Sequence, residues 1–76
     1  MKELLLIIAE NLVEFPDKVE VEEEQRENTV VLKLRVAPED MGKVIGKQGR
    51  IAKAIRTVVK AAAIHSDKKV MVEIVQ

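Results

Sequence analysis

The stretch VIGKQGRIAKAIRTVVKAAAI, residues 44–64, decides the fold of this chain. Two glycines, Gly46 and Gly49, enclose Lys47 and Gln48, and a strongly patterned segment follows at once. At about 100° per residue, Ile51, Ile55, Val58, Val59 and Ala62 gather on one arc, while Arg50, Lys53, Arg56, Thr57 and Lys60 fall on the opposite one. This spacing predicts an amphipathic helix over residues 50–64 with one apolar and one basic side. Glycine loops that open a helix can take positive φ angles and let another backbone approach closely. The helix's first N–H groups and its dipole then favour an anion at that end. Lys47 and Arg50 add charge, with Lys43 and Lys53 about one turn away on either side.

Outward from the loop, Pro38, Glu39 and Asp40 suit the first turn of a short helix whose apolar stripe is Met41, Val44 and Ile45 and which stops at Gly46. Further back, residues 29–36 alternate Val30, Leu32, Leu34 and Val36 against Val31, Lys33 and Arg35. Residues 18–24 alternate Val19 and Val21 against Glu20, Glu22 and Glu24, and Arg26-Glu27-Asn28 reads as the turn of a hairpin. A first helix is expected over residues 2–14, ended by Pro16. After Ser66-Asp67-Lys68, Val70, Val72 and Ile74 form one side of a last strand. The order α-β-β-α-α-β predicts an α+β fold, with three helices on one face of a three-stranded sheet and Glu20, Lys33, Arg35 and Glu73 in water.

At 76 residues there is room for one domain, residues 1–76, with one modest core. Hydrophobic residues make up 47% and charged residues 34%, the balance of a foldable chain rather than a disordered one. The net charge of zero hides a division. Residues 1–40 carry five basic and eleven acidic side chains, a balance of −6, and residues 41–76 carry eight and two, a balance of +6. The apolar run Leu4–Ile8 is far short of the roughly 20 residues that cross a bilayer, and no signal-peptide pattern follows it. A cytoplasmic location is expected. With no cysteine, thiolate metal sites and cysteine nucleophiles are excluded.

Other chemistries fail on spacing. A Walker loop needs four residues between its glycines and Ser or Thr after the lysine, whereas Gly42 and Gly46 enclose three and Gln48 follows Lys47. The dinucleotide fingerprint needs glycine where Val44 stands. Ser66 and Thr57 are isolated, and His65 lacks a second ligand, so neither an enzyme nor a metal site nor a bound cofactor is expected. The Glu22-Glu23-Glu24 run reads as the solvated rim of the hairpin. One aromatic residue, Phe15, is too few for recognition by stacking bases on rings.

Glycines three apart arise by chance in roughly a third of chains this long, so the weight rests on the setting. Val44-Ile45-Gly46-Lys47-Gln48-Gly49-Arg50-Ile51, with Ile55 continuing the stripe, resembles the signature of the KH domain, whose GxxG loop clamps the backbone of about four nucleotides. The element order is similar to the type II arrangement of that family, with a mixed three-stranded sheet. The whole chain, including Arg35-Val36-Ala37-Pro38-Glu39-Asp40, resembles the small bacterial single-KH proteins of the KhpA/YlqC family. The resemblance implies binding of single-stranded RNA, as a chaperone or regulator. Gly46, Lys47, Gln48 and Gly49 would form the clamp, and Lys43 and Arg50 would steer phosphates; Lys53, one turn from the loop, is a further RNA-binding candidate from its position. Val44, Ile45 and Ile51 would supply an apolar wall, and spacing does not decide which of them faces the bases. It also implies self-pairing and association with a larger KH-containing protein. Leu4, Leu6 and Ile7 lie off the face defined by Leu5, Ile8 and Leu12, which leaves a second reading open: an interaction adaptor that assembles through its first helix.

Overall fold

The computed structural model describes residues 1–75. The first helix, α1, spans Lys2–Leu12 and ends two residues earlier than its pattern suggests, Val13 being already extended. The cause is Asp40, whose carboxylate accepts the Glu14 N–H at 3.1 Å and the Phe15 N–H at 3.0 Å. Those two donors are drawn out of the helix by an acceptor 25 and 26 residues away. Asp40 was expected to act on the dipole of its own helix. Instead its side chain makes no capping bond there and is wholly buried.

Pro16–Lys18 forms a 3-10 turn, which displaces β1 to Glu20–Arg26, two residues later than the alternation suggested. β2 spans Thr29–Arg35, and Arg26 pairs with Thr29, so the hairpin closes through Glu27 and Asn28 alone. A second 3-10 turn, Pro38–Asp40, leads into α2, Met41–Ile45, so the helix expected from Pro38 begins with a tighter turn. A third, Lys47–Gly49, carries the glycine loop into α3, Arg50–Ala62. α3 ends one half-turn before the expected residue 64, the Ala63 N–H being shared between the carbonyls of Val59 and Lys60. The last strand, β3, spans Lys69–Ile74.

The sheet order is β1-β2-β3, with β1 antiparallel and β3 parallel to β2. Side chains alternate across it. Val21, Leu32, Leu34 and Val72 face the helices and meet Leu5, Ala9, Val44, Ile55 and Val59 in one core. Register places Leu34 beside Val21, and Leu32 beside Val72. The three helices therefore cover one face, as the apolar stripes require.

The other face differs in one place from the expectation. Val31, assigned to the wet side with Lys33 and Arg35, is only 3% exposed. Its neighbours in register are Glu24 and Met71, and the Lys33 ammonium reaches Glu24 Oε2 at 2.8 Å. Long side chains beside a strand residue can cover it with their stems while their polar ends stay in water. Hydrogen bonds from Lys33 and Arg26 hold the Glu24 carboxyl down to about 2.

Candidate nucleic-acid interface

Gly46 ends α2 at φ 77°, ψ 175°, its N–H closing the helix onto the Gly42 carbonyl at 2.8 Å. Its φ lies in the region that disfavours side chains, and Ile51 is packed against it. A Cβ on Gly46 would stand 2.8 Å from the Ile51 Cβ and 2.9 Å from its backbone nitrogen. Gln48 (φ 57°) and Gly49 (φ 74°) follow in left-handed geometry, Gln48 being the only non-glycine residue with positive φ among those described. The Gly49 N–H returns to the Gly46 carbonyl at 3.2 Å and the Arg50 N–H to that of Lys47. The tip of the turn, Lys47 and Gln48, projects into solvent with no backbone acceptor for its two N–H groups among the described residues. Those two donors and the Lys47 side chain stand together at an exposed tip, which suits an oxyanion.

The remaining candidates separate. Lys43 does not stand free beside the loop: its ammonium is 3.2 Å from Glu14 Oε2 and 3.7 Å from Asp40 Oδ1, tying α2 to the end of α1. Of the three aliphatic residues left open by spacing, Val44 is in the core and Ile51 lies beneath Gly46, whereas Ile45 is exposed. Arg50 and Lys53 are both exposed, one turn apart on α3. Arg50 borders an apolar groove of about 410 Å³ between α1 and α3, with Ile8, Leu12, Ala54 and Val58. Lys53 belongs with Arg56 and Lys60, since steps of three and four residues keep them on one side, directly below Gly49.

That side faces a groove that sequence reasoning missed. Arg56 and Lys60 of α3 and Lys69, Val70, Met71 and Val72 of β3 line a cleft of about 210 Å³. β3 is an edge strand. The Lys69 N–H goes to the Asn28 carbonyl and the Val75 N–H to that of Leu34, so the odd-numbered residues bond to β2. In a parallel strand each residue's N–H and C=O point the same way, alternating along the chain. Val70 and Val72 therefore turn their peptide groups to the cleft. One of them is engaged: Arg56 Nε donates to the Val72 carbonyl at 3.3 Å. Sequence alone flags the basic stripe, but not which strand it faces, because that depends on the parallel crossover.

A glycine turn between two helices, a basic stripe running from it and an open strand edge alongside define a type II KH module. The chain belongs to the KhpA/KhpB KH-domain family, whose model matches residues 2–74. It is 64% identical to the RNA-binding protein KhpA of Clostridium acetobutylicum over 75 residues, 99% of this chain and 100% of that one. It is 67% identical over the same span to KhpA of Clostridium perfringens and 47% identical over 76 residues to KhpA of Aquifex aeolicus, covering 96% of the latter. Two structures of Era share the fold. One is Aquifex aeolicus Era Y63A bound to GDP and aluminium fluoride, with a TM-score of 0.67 at 21% identity, covering 96% of this chain and 28% of Era. The other is Era with a nucleotide analogue and nucleotides 1506–1542 of 16S ribosomal RNA, at a TM-score of 0.66.

Proposed function

We propose that this chain binds single-stranded RNA, gripping the backbone at Gly46-Lys47-Gln48-Gly49 and laying the following nucleotides along the cleft between α3 and β3. The observation that carries this reading is continuity. The outward N–H groups of the loop, the Lys53-Arg56-Lys60 stripe and the free edge of β3 form one track. Its relatives, named as RNA-binding proteins over their full length, support it. Phosphates meet the loop, Lys47 and Lys53. Ile45 supplies aliphatic surface beside the clamp, and the edge of β3 offers hydrogen bonds to bases. Arg50, at the border of the apolar groove, and Lys43, held by two carboxylates, contribute field rather than contact. The role is that of a binder, an RNA chaperone or regulator in the cytoplasm, acting as a single domain without catalysis.

The test is the double variant Lys47→Asp, Gln48→Asp. Asp tolerates left-handed geometry, so the fold persists, while the removal of two charge-assisted hydrogen bonds to RNA, each worth about 1.5 kcal/mol, lowers affinity roughly 100-fold. Undiminished binding would sink the clamp.

A specific observation also favours a protein partner. Ile7 is 58% and Val58 48% exposed, on the two helices that border the apolar groove. We infer that this face assembles with a second copy or with a larger KH-containing protein. Ile7→Glu is expected to abolish that assembly, read by sedimentation, and to leave RNA binding by the isolated chain in place.

A further inference from the structure

We propose that Arg56 is a specificity-determining residue that reads one base of the bound RNA, selecting guanine or cytosine over adenine and uracil. The inference rests on the RNA-binding reading above. Arg56 is not one more mobile cation of the basic stripe. Its Nε donates to the Val72 carbonyl on the open edge of β3, which lays the side chain across the cleft from helix to strand. Among the described residues no carboxylate pairs with it, and no acceptor takes the protons of its two terminal nitrogens. A guanidinium has five donors in a rigid plane. With one fixed on Val72, the rest are aimed by the strand rather than by a floppy stem, so little rotamer freedom is lost when they engage a ligand.

Position argues for a base. Arg56 lies six residues beyond Arg50, about 9 Å along the helix from the clamp. Its anchored end reaches the strand, where Val70 and Val72 form the floor, while Lys53 and Lys60 stand one turn away on either side without such an anchor. A base entering between helix and strand meets the guanidinium first. The two terminal nitrogens of a fork require two adjacent acceptors. Guanine offers O6 and N7, and cytosine offers O2 and N3, whereas adenine and uracil alternate donors with acceptors along their edges. Lysine, a single point donor, cannot make that distinction.

The experiment measures affinities of the full chain for short oligo(A), oligo(C), oligo(U) and an alternating GA repeat at several salt concentrations, for the unaltered protein, Arg56→Lys and Arg56→Gln. The unaltered protein is expected to prefer the C- and G-containing RNAs by about tenfold or more. Arg56→Lys should keep the salt slope and lose the preference, and Arg56→Gln should lose the preference as well. Circular dichroism verifies that both variants are folded. A preference that survives in Arg56→Lys, or its absence in the unaltered protein, overturns the proposal. So does a uniform loss on all four RNAs in Arg56→Gln with a salt slope shallower by about 0.7, which marks a phosphate contact. If the unaltered chain binds none of the RNAs, the RNA-binding reading falls with it. If it binds them and the Lys47→Asp, Gln48→Asp variant does not, that reading stands whatever Arg56 does.

Discussion

Gly46 and Ile51 are in mutual contact across the loop, with no room between them for a methyl group: the Cβ of any other residue at 46 would lie 2.9 Å from the Ile51 backbone nitrogen. Gly49 has the same sign of φ but nothing within 4 Å of a Cβ position. Gly46→Ala must therefore shift the start of α3 as well as strain its own backbone, whereas Gly49→Ala is charged only the left-handed penalty of about 1 kcal/mol. Denaturant unfolding should rank them in that order, and Gly46→Ala should weaken RNA binding more than Gly49→Ala does. Equal costs would show that Ile51 yields easily.

Gln48 holds a left-handed conformation that glycine adopts freely. Gln48→Gly is expected to be neutral or to stabilise by a few tenths of a kcal/mol, since relief of strain is offset by added freedom in the unfolded chain. Gln48→Val, β-branched and intolerant of positive φ, should destabilise by about 1–2 kcal/mol. Thermal melts of the two variants supply the comparison.

Asp40 is wholly buried and receives the N–H groups of Glu14 and Phe15. Asp40→Ala leaves two donors without an acceptor and should cost about 2–4 kcal/mol. Asp40→Asn keeps an oxygen for one of them and should cost less. Hydrogen exchange at Glu14 and Phe15 should accelerate in the alanine variant, ahead of any change at Leu32 or Leu34.

Glu24 links stability to acid. Its carboxyl is lowered from 4.5 to about 2 by hydrogen bonds from Lys33 and Arg26, so the folded state releases this proton more readily than the unfolded one. The resulting stabilisation is complete above about pH 4.5 and is lost as pH falls toward 2. Glu24→Gln should flatten that part of the stability profile, and added salt should shrink the difference because the group is exposed. An unchanged acid limb in Glu24→Gln would count against the ion pairs.

Much of this fold could be read from residues because its helices and strands carry clean periods, and the stripe of Ile51, Ile55 and Val59 fixed which side of α3 turned inward. The boundaries that moved did so for tertiary reasons. α1 stops at Leu12 because Asp40 reaches back to the segment after it, an interaction with no local signal. Val31 is buried between Glu24 and Met71 on the face that alternation assigns to water. At the candidate site the loop was legible and its surroundings were not. Lys43 looked available until the fold brought Glu14 to it, and Arg56 looked like any cation of the stripe until parallel pairing turned the Val72 carbonyl toward it.

The two halves of the charge balance end up on opposite edges of the sheet. α1, the segment after it and β1 carry Glu3, Glu10, Glu14, Glu20, Glu22, Glu23 and Glu24, while the loop, α3 and the chain from there to the start of β3 carry the basic residues from Lys47 to Lys69. A molecule built this way has no monopole to draw it toward a polyanion from afar, only a dipole, and a dipole exerts torque before it exerts pull. Within about 10 Å of a polyanion, where physiological salt no longer screens it, such a dipole turns its basic side toward the opposing charge. Wrong-way encounters, acidic edge forward, are repelled and separate. The neutrality of the whole thus acts as an orientation filter, trading capture radius for correctness of approach.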